Sequence, residues 1–505
     1  MSDDSVKYEP LLPIGTELLV VGGPVEASGY VWWQVEPLSI ALEDANVGWV
    51  AMADHDGEPW IGLSGDANPQ LAMAISDVAR MPVGKGQAKA AANSITSFGL
   101  DLYRRLLEDP DLGSRNVVFS PTSIALALGL VRAGARGETG TEIDDVLHVN
   151  GSDELLAGLN ALEQALAARD ATWQDSDAKR QVALRIANAS FAQNGWTVEQ
   201  AYLDALAATF GSGLHLLDYK SDPEGARRAI NGWVDQRTAG RIPELLTPPD
   251  VTTATRLYLV NAIYLKAEWE RWFQEGGTKK ASFARLDGSK VDVDMMAQSA
   301  DGIGPVIPLA SGSGWQAVDL RYKAPPGSPP LAMTLVLPKN LPAFESKLDR
   351  ALLSRIVKKL DAERQAFKEP DCPPDFDAGC YPYDLHVYLP RFSIDSRAEL
   401  KELLAAAGMP RAFDPTADFT GIHDPAADGE PVFISAVVHQ ANIDVDEKGT
   451  VAAAATAIGM DTGGGPSALD DITIRFNRPF LFFVRDVETG TILFMGRVVD
   501  PSDTP

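Results

Sequence analysis

This chain of 505 residues shows two patterns of apolar and polar positions. Residues 8–61 hold short apolar runs separated by glycine-containing turns, which predicts a small all-β unit. The spacing then becomes helical, with apolar residues at intervals of three or four, which predicts an amphipathic helix. These residues are Ile95, Phe98, Leu102 and Leu106. Helical and strand patterns mix through residues 110–500 without a repeat or a clean boundary, and this mixture predicts one large α+β domain.

The segment between these two regions has no sustained period. Residues 63–88 are rich in glycine, proline and small side chains, so they are predicted to form a linker that holds at most one short helix. The predicted organisation is therefore an N-terminal β-domain over 1–62, a linker over 63–88 and a main domain over 89–505.

The most informative segment is DEKGTVAAAATAIGM, residues 446–460. Alanine favours helices, so propensity alone predicts a helix over 451–457, and an ordinary surface helix is one interpretation. A period of two gives another, because it places small, uncharged side chains on one face of an extended segment. That face holds Thr450, Ala452, Ala454 and Thr456, followed by Ile458 and Met460. Such a segment could enter between two existing strands without a steric clash.

Composition and charge limit the partners. The chain is 45% hydrophobic and 23% charged, as expected of a globular protein. It carries 70 acidic and 44 basic residues, a net charge of −26. Such a surface repels phosphate backbones and anionic lipids, so neither nucleic acid nor membrane partners are expected. The first ten residues carry no secretory signal, which predicts a cytoplasmic protein or a mature, trimmed form.

The inventory of reactive residues argues against catalysis. The sequence has no HExxH, no GxSxG, no glycine-rich phosphate loop and no zinc-type Cys/His spacing. We therefore predict that the protein is not an enzyme and uses neither a cofactor nor a metal. Its two cysteines, Cys372 and Cys380, lie in a loop rich in Pro, Asp and Gly. They could form a disulfide, which would imply an oxidising compartment, or remain two thiols.

Five motifs resemble signatures of the serpins, a family of serine protease inhibitors, and occur in the family's order. They are NVVFSPTSIALALGLVRAGARGETGTEI (116–143), INGWVDQRTAGRIPELL (230–246), LVNAIYLKAEWERWF (259–273), DVDMMAQ (292–298) and FNRPFLFFVRDVETGTILFMGRVVDP (476–501). Residues 446–460 resemble the hinge of the serpin reactive loop. The resemblance covers roughly residues 88–503. It implies the serpin fold, with three β-sheets, about eight or nine helices and an exposed reactive loop.

The resemblance also implies a mechanism. Serpins act as suicide substrates: a serine protease cuts the reactive loop and forms an acyl-enzyme, and the cut loop inserts into the central sheet. The implied partner is a serine protease in a covalent acyl complex with a monomeric inhibitor. The resemblance, and a disulfide between Cys372 and Cys380, favour an extracellular location. The alternative function is that of a non-inhibitory serpin acting as a binding or chaperone module.

Positions in the hinge and loop follow from the resemblance. The hinge residues are Glu447, Gly449, Thr450, Ala452, Ala454 and Thr456. Counting from Glu447 places the scissile bond between Gly463 and Gly464, with Thr462 and Met460 as alternatives. No Lys or Arg lies between Gly449 and Ile474. This favours an elastase-, chymotrypsin- or subtilisin-like target over a trypsin-like one.

A second set of positions resembles the residues that control opening of the serpin sheet. His439 matches a histidine that is hydrogen-bonded, in the family, to a serine of the FSPxS motif and to an asparagine on a neighbouring strand. The matching positions are Ser120, Ser123 and Asn261. Trp269 matches the tryptophan at the point where loop insertion starts. The plain alternative for His439 and Trp269 is an ordinary core residue.

The N-terminal β-domain resembles a bacterial SH3-like domain. The likeness rests on a tryptophan pair on one strand and a Gly-Trp-Val sequence on a later one: Trp32, Trp33, Gly48, Trp49 and Val50. The resemblance implies a small barrel. It could bind a cell-wall or other peptide ligand through exposed tryptophans, although core packing is the commoner role of such residues.

Overall fold

The structure is a computed structural model. It describes residues 18–27, 30–37, 48–51, 72–109, 112–175, 178–238, 240–300, 306–366, 383–427, 429, 431–450 and 470–503. Within these residues lie nine α-helices and four β-sheets. The helices are α1 Gln87–Glu108, α2 Pro121–Arg132, α3 Gly137–Val146, α4 Ser152–Ala167, α5 Gln200–Phe210, α6 Pro223–Arg237, α7 Leu341–Glu345, α8 Arg350–Ala366 and α9 Lys401–Ala407.

The largest sheet has eight strands and forms the centre of the main domain. Seven of them lie in the order β16–β17–β18–β9–β7–β8–β4, and β6 pairs with β7 outside this path. Their bounds are β4 Ala72–Ala74, β6 Ala171–Asp175, β7 Ala178–Gln193, β8 Leu214–Leu217, β9 Leu257–Glu268, β16 Phe392–Glu399, β17 Ile434–Val445 and β18 Gly449–Thr450.

Two further sheets complete the main domain. The six-stranded sheet has the order β12–β13–β14–β20–β21–β5, and the four-stranded sheet has the order β10–β11–β15–β19. The first contains β5 Val117–Phe119, β12 Leu309–Gly312, β13 Trp315–Arg321, β14 Leu331–Pro338, β20 Phe480–Asp486 and β21 Ile492–Val498. The second contains β10 Lys279–Ala284, β11 Lys290–Ala300, β15 Tyr383–Pro390 and β19 Asp470–Arg475.

Both faces of the eight-stranded sheet are buried. Leu259 and Ile263 of β9 join the main hydrophobic core, whereas Tyr258 and Val260 join a second cluster that includes Ile230 of α6. Strands covered on both faces are apolar at nearly every position instead of alternating. Helix α2 packs against β7, β9 and β21. The sheet is therefore held between α2 on one face and α6 on the other.

The start of α2 follows from its sequence. Ser120 is the N-cap, and its hydroxyl accepts a hydrogen bond from the backbone amide of Ser123, while Pro121 occupies the first turn. Ser120, Ser123 and the residues between them are buried. The helix N-terminus is thereby fixed directly behind the sheet.

The segment predicted as a linker differs from that prediction. Residues 72–74 form β4, which pairs with β8 through Ala72 opposite Leu216 and Ala74 opposite Leu214. Helix α1 begins at Gln87, inside the predicted linker. The run is short and interrupted by proline and glycine, so it lacks a sequence period, yet the free edge of β8 gives its backbone a partner.

The N-terminal segment forms a separate antiparallel sheet of three strands. They are β1 Leu18–Ala27, β2 Tyr30–Pro37 and β3 Gly48–Ala51. β2 pairs with both neighbours, with Trp33 opposite Val50 and Gln34 opposite Trp49. The resemblance of this region to an SH3-like barrel stays a prediction.

Candidate functional site

Strands β9 and β17 meet along a parallel ladder, which we call the seam. It runs from Leu257 opposite Ile434 to Ile263 opposite Ala441. Beyond the seam the two strands separate, and β18 lies between them, antiparallel to both. Gly449 lies opposite Glu268 of β9. The sheet is thus closed along the seam and already contains the first two residues of an extra strand.

A tight turn leads the chain from β17 into β18. The backbone amides of Lys448 and Gly449 donate to Oδ1 of Asp446 over 2.8 and 3.0 Å. The amide of Asp446 in turn donates to the carbonyl of Gly449 over 3.1 Å. An acidic side chain that accepts from the following amides is a common way to reverse the chain. The sequence DEKG therefore fixes the direction in which the following residues leave β17.

Gly449 is required by a close approach of two backbones. A Cβ atom at this position would lie 2.0 Å from the carbonyl oxygen of Ala267 and 2.9 Å from Cα of Glu268. Its φ is outside the left-handed region, since Gly449 is not among the positive-φ residues. The need for glycine is therefore steric and does not come from an unusual φ angle.

Thr450 is buried and held by an aromatic pair. Its hydroxyl lies 2.7 Å from that of Tyr322, whose ring stacks on Trp269 with centroids 4.4 Å apart. The indole of Trp269 donates to the carbonyl of Asp446 over 2.9 Å, and its backbone amide donates to that of Lys448 over 2.7 Å. Trp269 and Tyr322 therefore form the surface on which the turn and β18 rest.

Glu447 is anchored by a paired cation. Arg391, which lies between β15 and β16, donates from Nη2 to Oε1 of Glu447 over 2.6 Å and from Nε to Oε2 over 2.9 Å. Thr278 also donates to this carboxylate. Burial raises the pKa of Glu447, but the hydrogen bonds from Arg391 and Thr278 outweigh it and hold the pKa below its usual value. Glu447 is therefore ionised and fixed at neutral pH.

A polar cluster lies within the sheet at the level of the seam. The backbone amide of Ser120 donates to Nε2 of His439 over 3.0 Å, and Nδ1 of His439 is hydrogen-bonded to Oδ1 of Asn261. Asn261 donates over 2.6 Å both to the hydroxyl of Ser123 and to Oδ1 of Asn188. The hydroxyl of Ser123 donates to the same amide oxygen over 3.2 Å. We call these five residues the polar cluster; it joins β7, β9, β17 and the start of α2.

The hydrogen bonds fix the state of His439. Because Nε2 accepts from a backbone amide, the proton must be on Nδ1, which donates to Asn261. Burial lowers the pKa of His439 to about 3, against the opposing effect of its hydrogen bond with Asn261. The imidazole is therefore neutral at physiological pH, and the cluster carries no charge.

The structure brings some of the predicted residues together. Ser120, Ser123, Asn261 and His439 belong to one cluster. Trp269 lies at the C-terminal end of β9 with Glu447, Gly449 and Thr450, which the sequence analysis predicts to be hinge residues. The other hinge and loop positions lie outside the described residues, as do Cys372 and Cys380. They are Ala452, Ala454, Thr456, Met460, Thr462, Gly463 and Gly464.

Four contacting residues were missed by the sequence analysis. Asn188 completes the polar cluster, Tyr322 holds Thr450, and Arg391 with Thr278 holds Glu447. Asn188 had a signal, since it is a polar residue between alanines in the strand sequence IANASF. The other three come from distant parts of the chain, so no local pattern connects them to the hinge.

The profile of the family described as Serpin (serine protease inhibitor) matches residues 93–501, most of the chain. The chain belongs to the serpin family. An uncharacterized serpin-like protein of Thermococcus kodakarensis is 31% identical over 445 residues, 86% of this chain and 93% of that protein. Leukocyte elastase inhibitor of Xenopus tropicalis is 31% identical over 412 residues, 81% of this chain and 99% of that protein.

Solved structures agree with this assignment at the level of the fold. The native state of tengpin, a thermophilic serpin, aligns with a TM-score of 0.66 and 22% identity over 84% of this chain and 97% of that chain. Thyroxine-binding globulin in complex with thyroxine aligns with a TM-score of 0.63 and 24% identity over 82% of this chain and 100% of that chain. The predicted serpin fold is confirmed. Serpins are mostly protease inhibitors, although some members are non-inhibitory.

The described residues contain neither a membrane-spanning helix nor a metal-binding cluster. None of the described helices is long and apolar enough to cross a membrane. In the same part of the chain, no three His, Cys, Asp or Glu side chains lie close enough together to hold a metal ion.

Proposed function

We propose that this serpin inhibits serine proteases as a suicide substrate. The observation that carries the proposal is β18, whose residues Gly449 and Thr450 already lie between β9 and β17 at the end of the seam. The residues that follow are small and uncharged. Once the loop is cut, these residues can continue as a strand between β9 and β17.

The free energy that would drive insertion of the cut loop comes from the eight-stranded sheet. At present β9 and β17 share one ladder of backbone hydrogen bonds along the seam. A full strand between them would replace that ladder by two and would bury its small inward side chains in a dry interior. Insertion is therefore strongly favourable for the cut chain. In the intact chain, the connection to β19 restrains it.

The proposed chemistry belongs to the protease. Its serine Oγ attacks the carbonyl carbon of the scissile bond, the amine of the following residue leaves, and an ester joins the loop to the enzyme. We place this bond between Gly463 and Gly464, with Thr462 and Met460 as alternative P1 residues. An elastase-, chymotrypsin- or subtilisin-like enzyme is the expected target. Insertion that is faster than hydrolysis of the ester would leave the enzyme trapped.

The polar cluster is proposed to control opening of the seam. Asn261 on β9 and His439 on β17 lie opposite each other in the parallel ladder and are joined by a side-chain hydrogen bond. A strand that enters between them must break this bond. The cluster therefore sets part of the barrier to insertion, and Trp269 is proposed to hold the entry point.

The test is incubation of the full chain with elastase or with subtilisin, followed by SDS gel electrophoresis. A covalent complex that survives SDS is expected, and the released C-terminal fragment should begin at Gly464 by mass spectrometry. Trypsin should give no complex at the loop, because no Lys or Arg lies between Gly449 and Ile474.

A matched pair of variants tests the proposed strand. Ala454→Glu places a charge on the inward face and should turn the inhibitor into a substrate, because burying an unpaired carboxylate is costly. Ala453→Glu places the same charge on the outward face and should still form the complex. Rapid cleavage of the unaltered chain without any complex would instead identify a non-inhibitory serpin that acts as a binding module.

A further inference from the structure

An unusual strip of apolar side chains lies at the edge of the eight-stranded sheet. In the described part of the chain five large hydrophobic residues are exposed, and four of them fall within residues 73–83. They are Met73, Ile75, Val78 and Val83, with exposed fractions of 44–59%, and we call them the edge strip. The fifth, Leu286, lies in the hairpin between β10 and β11.

The segment that carries the edge strip is firmly held by its other side chains. Ser76 donates to Asp204 over 2.6 Å. Arg80 donates to Glu163 over 2.6 Å and to the carbonyl of Thr209 over 2.9 Å. The amide of Met81 donates to the carbonyl of Ala208 over 2.8 Å. Ser76 and Arg80 therefore face the protein, whereas the four residues of the edge strip face outward.

An ordinary surface segment would turn such large apolar side chains toward the protein. Among the described strands β4 is the last of its sheet, so one side of its backbone has no strand partner there. A fixed, outward-facing apolar strip beside a free strand edge is an interaction site or an aggregation hazard. Because the segment is anchored by hydrogen bonds to α4 and α5, it presents the edge strip in one defined geometry.

We propose that the three-stranded N-terminal sheet of the same chain docks on the edge strip. Twenty residues, 52–71, separate β3 from β4, a length that can extend over at most about 70 Å. Tethering at such a length gives an effective concentration on the order of millimolar. A contact inside one chain is therefore favoured over the same contact between two chains.

Sequence and charge suit this pairing. In the β2 sequence YVWWQVEP one set of alternate positions is apolar, with Val31, Trp33 and Val35. The other set is mixed: it begins with the aromatic residues Tyr30 and Trp32 and continues with Gln34 and Glu36. A sheet of only three strands is close to the lower limit of independent stability, so packing its apolar side chains against a partner stabilises it. Residues 1–71 hold twelve acidic residues and one lysine, whereas residues 72–89 hold three basic residues and one acidic. Attraction between these segments favours the docked arrangement.

The test uses a photo-reactive side chain in the full-length protein. With Val78→p-benzoylphenylalanine, irradiation should attach residue 78 to peptides from 18–51 in a product of monomer mass. The matched control is Leu286→p-benzoylphenylalanine, which has a similar exposed fraction and should not label those peptides. Attachment only to a second copy, seen as a product of doubled mass, would overturn the proposal. So would the absence of attachment to 18–51.

A second variant tests whether the apolar contact matters. In the Ile75→Lys background, a probe at Val83 should label residues 18–51 about tenfold less than it does with Ile75 present, because one buried apolar side chain is lost from the contact. Leu286→Lys should leave the labelling unchanged. Equal labelling in both backgrounds would overturn docking on the edge strip.

Discussion

At the scale of single residues, Gly449 has no room for a side chain. We expect Gly449→Ala to push β9 and β18 apart, because the new Cβ would lie 2.0 Å from a carbonyl oxygen of β9. Overpacking of this kind costs about 1–3 kcal/mol. Denaturant unfolding of the native state should show the loss. Gly276→Ala is the control, because nothing lies within 4 Å of its Cβ position; equal losses in both variants would contradict the prediction.

Asn188 offers a second test at this scale. Its amide oxygen accepts from both Asn261 and Ser123. Asn188→Ala would leave these two donors without that acceptor, which should cost about 1–3 kcal/mol of unfolding free energy. The exposed Asn150→Ala is the control and should change stability by less than about 0.5 kcal/mol. Equilibrium denaturation at neutral pH measures both, and a neutral result for Asn188 would show that the cluster is not strongly coupled.

The neutral state of His439 predicts a pH dependence. Its pKa is about 3 in the folded protein, and that of His215, which is also lowered by burial and by Arg237, is about 4. In the unfolded chain both lie near 6.5. Between these values the unfolded chain binds more protons, so the unfolding free energy should be fully present above about pH 6.5 and fall as the pH drops toward 4.

Denaturant midpoints at pH 7 and pH 4.5 measure this loss. The difference between the two midpoints should be smaller in His439→Asn, since one of the two histidines no longer contributes. Asn150→Ala is the control, because Asn150 is exposed on the surface and does not titrate, and it should keep the pH dependence of the parent. A parent protein equally stable at both pH values would contradict the assignment of His439 as a buried neutral group.

The polar cluster also shows how far the sequence can be read at this scale. Ser120, Ser123 and Asn261 could be placed because they lie inside recognisable family motifs, and His439 because it lies eight residues before Glu447 of the predicted hinge. Asn188 lies in a strand whose sequence matches no such motif. Its role depends on its position in β7, directly opposite Asn261 on the neighbouring strand β9. A cross-strand partner is set by register, and register follows from the whole sheet.

At the scale of elements, β18 is held by side chains from outside its own sheet. Tyr322→Phe removes the hydroxyl that lies 2.7 Å from that of Thr450. The expected cost is about 0.5–1.5 kcal/mol, concentrated in the hinge. Hydrogen exchange of the Gly449 and Thr450 amides should therefore become faster, while exchange in β7 stays unchanged.

A second buried tyrosine provides the control for this variant. The hydroxyl of Tyr219 donates to the carbonyl of Phe191 in β7 over 3.1 Å. Tyr219→Phe should affect exchange near β7 and leave the hinge amides as they are. Faster hinge exchange in both variants would indicate a general loss of stability and would contradict a local role for Tyr322.

The elements also divide into predictable and unpredictable ones. Helix α1 was predicted from four apolar positions, Ile95, Phe98, Leu102 and Leu106, and all four are buried in it. The short strand β4 was not predicted, because three residues are too few to show a period. It exists because β8 presents an unpaired edge, which is a property of the sheet and not of residues 72–74.

At the scale of the whole molecule, the resemblance to the serpin family was the basis on which the architecture could be predicted. Three sheets in the main domain and nine helices among the described residues agree with the α+β serpin fold inferred from motifs alone. Hydrophobic periodicity could indicate a mixed α+β domain but not this sheet order, because the central strand β9 is buried on both faces and is apolar at most positions instead of alternating. The motifs predicted the fold correctly because each of them contains residues that are packed in the interior of the main domain.

The seam between β9 and β17 has a consequence beyond the proposed inhibition. If heat loosens this ladder in uncut molecules, the gap can be filled by the loop of a neighbour, whose own gap then takes the next loop. Such a head-to-tail contact does not close on itself, so it grows into filaments. We expect mild heating to give ladders of oligomers on native gels, and excess synthetic peptide of sequence 451–463 to block them. Amorphous aggregate insensitive to that peptide would contradict strand exchange at the seam.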